Sequence, residues 1–161
     1  MSQDSRAFRD ALGHFATGVA VVSARGAAAP FGLTINSFAS VSLDPPLILW
    51  SLDRASDRFA AMMAVTHFAV NMLGAQSRDL AQRLARKGAS SLGEANVRTG
   101  KHGTPLLEEA IAHFECSVEH RYEGGDHVIL VGRVLAHDHR SHSDPLIYYR
   151  GRYRALSELE G

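Results

Sequence analysis

The chain has 161 residues and carries 17 basic and 17 acidic side chains, so its formal net charge at pH 7 is zero. This length predicts one compact domain over residues 1–161. The balanced charge argues against nucleic-acid binding, and the apolar runs are too short to cross a bilayer. The polar N-terminus predicts no secretory signal, and the single cysteine, Cys116, excludes an intrachain disulfide. We therefore expect a cytoplasmic protein with no membrane or nucleic-acid partner.

Apolar periodicity in the first half of the chain predicts one amphipathic helix followed by buried strands. The helix carries Phe8, Leu12 and Phe15 on one face. It is expected to end at Gly18. The predicted strands cover residues 19–24, 31–37, 47–52 and 67–73, and shorter helices begin at Ser56 and Ser77.

The second half of the chain predicts a loop and then a long hairpin. Residues 88–103 are polar and rich in glycine, which favours a mobile surface loop. Residues 110–122 and 127–136 read as two strands joined across a Glu-Gly-Gly-Asp turn, and short strands at 146–149 and 153–156 follow. This content predicts a mainly β fold, a small antiparallel β-barrel with flanking α-helices.

Two segments have the side chains of a ligand site. From residue 32 to 47, short polar side chains alternate with apolar ones, so that Thr34, Asn36 and Ser37 can offer donors and acceptors at a cleft. Such a surface suits a planar ligand rich in heteroatoms. Residues 51–56 join a strand end to a helix start, where backbone N–H groups and hydroxyls can bind a phosphate.

With the Gly125-Asp126-His127 triplet and the final segment from Pro145 to Tyr153, these features resemble the short-chain flavin reductases in their order and spacing. Those proteins are NAD(P)H:flavin oxidoreductases that feed two-component monooxygenases. The resemblance covers about residues 8–156 and implies an FMN-binding split barrel and a homodimer. It also implies a separate flavin-dependent monooxygenase as partner. The flavin would be FMN or FAD and the hydride donor NADH or NADPH, and both choices remain open.

The resemblance further implies a set of site residues. His127 is predicted to be the catalytic residue, lying beside the nicotinamide and orienting hydride transfer. A flavin phosphate could be neutralised by Arg54 or Arg58, and Arg83, Arg86 and Lys87 could reach a phosphate or the adenylate of FAD. The predicted cofactor-binding residues are Thr34, Ile35, Asn36, Ser37, Ser51, Leu52, Asp53, Ser56, Ala69, Asn71, Gln76 and Ser77. The predicted substrate-binding residues are His127, Tyr149, Arg152 and Tyr153.

Two alternative functions remain open. A flavin-binding redox sensor or carrier without turnover would need the cleft but would have no use for His127 or the closing Tyr-Arg motif. An oxidase resembling the pyridoxamine-phosphate oxidases would need a second basic cluster near the ring, and the sequence shows none. No GxGxxG motif follows a predicted strand, so the dinucleotide is expected to bind without a Rossmann domain.

A group of histidines near residue 140 raises the question of a metal site. His137 and His139 have strand-like spacing that could place them on one face, with Asp138 and His142 close by. No cysteine or carboxylate pattern completes a recognised ligand set. The sequence therefore favours a hydrophilic surface turn here, and no metal is predicted.

Overall fold

The structure, a computed structural model, describes residues 3–93, 95–141 and 143–157. Its helices are α1 (Gln3–Leu12), α2 (Phe59–Ala64) and α3 (Arg78–Leu84), and a 3-10 turn at Ala75–Ser77 precedes α3. The strands are β1 (Thr17–Gly18), β2 (Ala20–Arg25), β3 (Pro30–Ile35), β4 (Ala39–Leu43), β5 (Pro46–Asp53), β6 (His67–Met72), β7 (Val97–Thr99), β8 (Pro105–Leu107), β9 (Ala112–Gly124), β10 (His127–His139), β11 (Ile147–Tyr149) and β12 (Arg152–Arg154). None of the described helices is long and apolar enough to span a membrane.

One antiparallel sheet dominates the fold, with strand order β3-β2-β6-β9-β10-β5-β4. The long β9–β10 hairpin forms its centre, and the β2–β3 and β4–β5 hairpins form its two sides. Among the described residues no pairing joins β3 to β4, so the sheet is not closed into a hydrogen-bonded ring. The prediction of a mainly β, antiparallel fold with flanking helices is confirmed.

The sheet buries apolar side chains on both faces, which is why β2 is apolar at successive positions. Val22 faces a cluster that contains Trp50 and Phe68, whose rings meet edge to face at 5.9 Å. Val21 faces a second cluster with Leu107, in which α3 and the loop before β7 also take part. The predicted strand at residues 19–24 is therefore confirmed as buried on both sides.

Three elements differ from the sequence prediction. Helix α1 ends at Leu12 rather than Gly18, because residues 17–18 pair with β11 instead. Strand β4 was not predicted, since nearly all of its side chains are exposed and a bulge at Val41 breaks its alternation. The predicted loop at 88–103 contains β7, and its Leu92 lies in the second cluster with only 2% exposure.

Helix α2 begins later than predicted, with Arg58 rather than Ser56 at its N-cap, whereas α3 begins where it was predicted. Helix α2 begins at Phe59, and the Ser56 hydroxyl accepts a hydrogen bond from Arg58 N (3.2 Å) in the turn before it. Ser77 occupies the N-cap position of α3 as predicted. Its hydroxyl donates to a Glu109 carboxylate oxygen (3.2 Å) instead of capping the helix.

Candidate functional site

An open cleft of about 310 Å³ lies where several elements end close together. Its walls are the second half of β3, the end of β5 with the turn that leads to α2, the end of α3, and the first residue of β10. The sheet order explains this meeting, because β10 pairs with β5 and places His127 opposite Asp53. The cleft therefore combines residues that are far apart in sequence, from Gly32 to His127.

One wall of the cleft is the outer edge of β3, where the described residues form no further strand and only a single bridge joins Phe31 to Ser91. Gly32 N points to that edge and donates to Ser90 O (3.0 Å). Backbone N–H groups alternate in direction along a strand, so Thr34 N projects from the same edge into the cleft. The Thr34 hydroxyl itself is used internally, donating to Ala81 O (2.8 Å) and tying β3 to α3. This wall offers backbone groups and the exposed Asn36 side chain to a ligand.

The opposite wall is fixed by short polar contacts at the end of β5. Ser37 Oγ accepts a hydrogen bond from Ser51 N (3.0 Å), which holds the segment after β3 against β5. Asp53 Oδ1 accepts one from Ala55 N (2.8 Å) and shapes the turn toward α2. The Ser37 hydroxyl and the Asp53 carboxylate therefore hold the backbone that frames the cleft.

One end of the cleft is cationic. Arg58, Arg86 and Lys87 line it, and Arg58 Nε is buried without a hydrogen-bond partner among the described residues. The carboxylate of Asp57, which could oppose an anion, also lines this end, lies 3.7 Å from Arg58 Nη2 and accepts a hydrogen bond from Gly88 N (2.6 Å). A buried donor without a partner is costly unless a ligand supplies the acceptor. This end of the cleft fits a phosphate group.

Arg54 does not belong to the cationic end. Its backbone N donates to Asp126 O (3.0 Å) and its Nε to Gly125 O (3.3 Å), and its guanidinium pairs with Glu123. The same guanidinium lies 5.6 Å from the centre of the Phe59 ring. Arg54 thus fixes the tip of the β9–β10 hairpin, and of the two candidates for phosphate binding only Arg58 lies at the cleft.

His127 lies at the cleft as the first residue of β10, with its side chain 40% exposed. Its Nδ1 is 2.7 Å from Asp126 Oδ1. This hydrogen bond lowers the pKa of Asp126. The ionised carboxylate can therefore accept a hydrogen bond from a protonated Nδ1. With Nδ1 held in this way, Nε2 is the nitrogen that remains available to a ligand.

The structure gathers most of the predicted flavin contacts around the cleft. The predicted residues that line it are Thr34, Ile35, Asn36, Ser37, Ser51, Asp53, Ser56 and His127. Sequence reasoning did not select Gly32, Ser90, Leu84 and Ala85, which also line it, because nothing in their local sequence separates them from ordinary loop and helix residues. The roles of the predicted residues toward a flavin remain a prediction.

The remaining predicted flavin contacts do not line the cleft. Leu52 and Ala69 are fully buried, and Gln76 is exposed outside it. Asn71 is also fully buried, and its amide is engaged on both sides: Nδ2 donates to Val21 O (3.0 Å) and Oδ1 accepts from Leu107 N (2.8 Å). For Asn71, as for Ser77, an internal hydrogen bond takes the place of the predicted ligand contact.

The closing motif is also placed differently from the prediction. Tyr149 and Arg152 line none of the cavities described here, whereas Tyr153 forms an edge-to-face pair with Tyr148 at 5.4 Å. Both of these rings line a pocket of about 180 Å³ that shares Thr34, Ile35 and Asn36 with the cleft. Desolvation raises the pKa of Tyr153, in keeping with a half-buried phenol.

His137 and His139 lie on β10 rather than in the predicted surface turn. Asp138 is 2.6 Å from His113 Nδ1 and accepts a hydrogen bond from Arg98 (2.9 Å). Burial alone would raise the pKa of Asp138, but these two partners together lower it. His142 is outside the described residues, and the residues that are described contain no group of three or more potential metal ligands.

Comparison with known proteins identifies the class. A family described as "Flavin reductase like domain" matches residues 12–157. "FMN reductase (NADH) SmoA" of Agrobacterium fabrum is 43% identical over 96% of this chain and 88% of its own. The reductase component of a 4-nitrophenol 4-monooxygenase/4-nitrocatechol 2-monooxygenase from Rhodococcus opacus is 37% identical over 93% of this chain and 80% of its own. Some relatives are longer; this chain spans only 48% of the length of a probable flavin reductase of Rhizobium meliloti, to which it is 44% identical.

Solved structures give the same result. The NADH:FAD oxidoreductase SgcE6 of Streptomyces globisporus C-1027, in complex with NAD and FAD fragments, superposes with a TM-score of 0.90 at 34% identity. The match covers 96% of this chain and 94% of that one. The chain therefore belongs to the flavin reductase like domain family, as its sequence motifs predicted.

Proposed function

We propose that this protein is an NAD(P)H:flavin oxidoreductase, acting as one domain and supplying reduced flavin to a separate monooxygenase. When bound together, the nicotinamide and the flavin supply the chemistry, a hydride transfer from nicotinamide C4 to flavin N5. The observation that carries the proposal is the cleft itself. It combines a free strand edge, a cationic end with a buried unpartnered donor, and His127.

The residues of the cleft divide the work of binding and orientation. The Thr34 N–H and the Asn36 amide would hydrogen-bond a flavin ring, because flavin edges carry several acceptors and donors. Arg58, with Arg86 and Lys87, would bind the flavin phosphate. His127, held by Asp126, would orient the nicotinamide against the ring, and alignment of this kind dominates the rate of a direct hydride shift.

The same proposal includes a homodimer and a cytoplasmic location, where reduced nicotinamide dinucleotides are available. Support for the dimer comes from apolar side chains that a lone chain leaves in water. Leu43 on β4 is 95% exposed, and Phe8 and Phe15 near α1 are 66% and 79% exposed. Light scattering after size-exclusion chromatography tests this point. Leu43→Asp or Phe8→Asp should convert a dimer to monomer, and a monomeric wild type would contradict it.

The activity is tested by anaerobic oxidation of NADH and NADPH with FMN, FAD or riboflavin as acceptor. We expect rapid oxidation that depends on added flavin, and the six combinations give both cofactor preferences at once. Tight flavin binding without turnover would instead support a flavin-binding sensor or carrier. A separate aerobic assay, with pyridoxamine phosphate as electron donor and oxygen as acceptor, tests the oxidase alternative; turnover there, without oxidation of NADH or NADPH, would support it.

A further inference from the structure

His127 owes its place at the cleft to a turn of only two residues. Strand β9 ends at Gly124 and β10 begins at His127, so Gly125 and Asp126 alone join the two strands. Both turn residues are exposed, and Gly125 has φ 74°, a conformation that glycine adopts without strain. Exposed turns open locally at little free-energy cost. The position of His127 therefore depends on the contacts that hold this turn.

Arg54 holds the turn through both of its residues. The backbone N of Arg54 donates to Asp126 O (3.0 Å), which extends the β5–β10 ladder by one rung past His127. Its Nε donates to Gly125 O (3.3 Å), and its guanidinium pairs with Glu123 on β9. Contacts of this one residue therefore reach the turn and the strand that leads into it.

The guanidinium is in turn placed by the start of α2. Its Cζ lies 5.6 Å from the centre of the ring of Phe59, the first residue of that helix. Phe59 packs against the core cluster that contains Trp50. It also follows Arg58, for which we propose contact with the flavin phosphate. Arg54 thus lies between the phosphate-binding turn and His127, although it does not line the cleft itself.

The ion pair alone would be a weak clamp. The Glu123 side chain is 84% exposed and that of Arg54 is 38% exposed, so water screens their attraction. The hydrogen bond from Nε to Gly125 O adds a fixed direction to the attraction. This pair of contacts needs the fork of a guanidinium, because a lysine has only one nitrogen to serve both Glu123 and Gly125.

We propose that Arg54 is a positioning residue for hydride transfer, holding the Gly125-Asp126 turn so that the His127 ring keeps its alignment at the cleft. The inference rests on the proposed function, in which His127 orients the nicotinamide against the flavin. Misplacement of an orienting group by about 1 Å can cost roughly 100-fold in rate. Since Arg54 acts only through His127, its loss should cost no more than the loss of His127 itself.

The hold on the turn is tested first without flavin or NADH. Hydrogen–deuterium exchange of the free protein reports how often the backbone opens at residues 123–128. Arg54→Ala and Arg54→Lys are compared with Arg121→Ala, a matched control on β9 whose guanidinium also donates to a backbone oxygen, Val65 O (2.8 Å). Both Arg54 variants should exchange faster at the turn by about three- to tenfold, roughly the effect of one charge-assisted hydrogen bond at a partly exposed site. The control should match wild type there, and unchanged exchange in R54A would overturn the inference.

The second measurement is the rate at which saturating NADH reduces bound FMN. R54A should lower this rate by about tenfold, while the FMN Kd stays at its wild-type value. R54K should also stay below wild type, since charge without the fork does not hold the turn. In a His127→Ala background, R54A should cause no further loss. An additional tenfold loss there would mean that Arg54 acts independently of His127, and the inference would fail.

Flavin affinity separates this role from that of a phosphate ligand. If Arg54 bound the flavin phosphate, R54A would weaken the binding of FMN and leave that of riboflavin unchanged. That result, or a wild-type rate in R54K, would overturn the inference. A wild type that oxidises neither NADH nor NADPH would contradict the reductase function. Faster exchange at the turn in both Arg54 variants would then still support the hold on His127, and unchanged exchange would overturn it.

Discussion

The cleft and the buried polar cluster of the sheet contain the same kinds of polar side chain, but those of the cluster are buried and hydrogen-bonded, whereas the cleft keeps some exposed and without side-chain hydrogen bonds. The buried polar cluster comprises Ser23, Asn71, Thr104 and Glu115, each at most 3% exposed. Asn71 has its amide fully engaged there, whereas Asn36 at the cleft is exposed and makes no side-chain hydrogen bond to the described residues. A satisfied polar group stabilises the fold, and an unsatisfied one at an opening is free to bind a ligand.

The buried polar cluster fastens the segment before and along β8 to the sheet. Ser23 Oγ donates to Pro105 O (2.5 Å) and accepts from Asn71 Nδ2 (2.8 Å). Glu115 accepts hydrogen bonds from Lys101 N (2.8 Å), His102 N (2.9 Å) and the Thr104 hydroxyl (2.7 Å). Loss of a member should therefore change stability and leave ligand binding intact, while loss of a cleft residue should do the reverse.

The largest expected effect is that of Asn71→Ala. It leaves Leu107 N and Val21 O without their side-chain partner in the interior. At about 1–3 kcal/mol for each of these two groups, we expect a loss of roughly 2–6 kcal/mol in the free energy of unfolding. Thermal and urea denaturation measure it. Asn36→Ala is the matched control, with a change of stability within about 0.5 kcal/mol and weaker flavin binding. Wild-type stability with lost flavin affinity in N71A would show that the predicted flavin contact was right.

His127→Ala is expected to have the next largest effect, and on turnover alone. Because we propose that His127 aligns the nicotinamide, its removal should lower kcat by roughly 100-fold. The flavin Kd and the melting temperature should remain close to wild type, because the His127 ring hydrogen-bonds only its exposed neighbour Asp126 among the described residues. Stopped-flow reduction of bound flavin gives the rate, and fluorescence titration gives the Kd. An equal loss of rate and flavin affinity, or of neither, would remove His127 from the nicotinamide side.

Asn36 and Asn71 also show which features of the site could be predicted from the sequence. The strand pattern and the order of the motifs were enough for the antiparallel fold and for the cleft residues on β3 and β5, since adjacent positions on one strand stay together. The burial of Asn71 could not be predicted, because a polar residue at a strand end has the same local sequence signature whether it faces solvent or a buried partner. Its partner at Leu107 is 36 residues away. No local pattern encodes such a contact.

The closing motif shows a related limit of the sequence, and its substrate contacts stay a prediction. The sequence marked a run of Tyr and Arg residues, but alternation along β11 and β12 and the turn between them decide which of them faces the cavity. Tyr148 and Arg150 line a cavity at the C-terminal end of α1, whereas Tyr149 and Arg152 do not. A shift of one residue in a two-residue hairpin exchanges the two sets, and sequence spacing does not fix that register.

A smaller effect, dependent on pH, is expected from the other end of the buried polar cluster. Burial would raise the pKa of Glu115, but the hydrogen bonds from Thr104, His102 and Lys101 together bring it below its ordinary value of 4.5. A lowered pKa stabilises the fold above the unfolded value, and this contribution is lost as the pH falls through the folded value. Glu115→Gln should cost about 1–3 kcal/mol at neutral pH, and its deficit relative to wild type should shrink below pH 4.5.

Denaturation of wild type and Glu115→Gln between neutral and acid pH measures this difference. A deficit that stays constant with pH would mean that the carboxylate charge does not contribute to stability. Flavin affinity serves as the control, because Glu115 does not line the cleft. It should be the same in both proteins at neutral pH.

The smallest expected effect is that of Arg58→Ala, and it should be confined to flavins that carry a phosphate. Arg58→Ala removes the buried Nε that has no partner among the described residues, so the fold should lose little. Without the guanidinium, FMN should bind about tenfold more weakly, as expected for one charge-assisted contact to phosphate. Riboflavin, which has no phosphate, should bind R58A and wild type alike. A loss of affinity shared by both flavins would mean that Arg58 shapes the cleft rather than binding the phosphate, and the division between cleft and buried cluster would then fail at this residue.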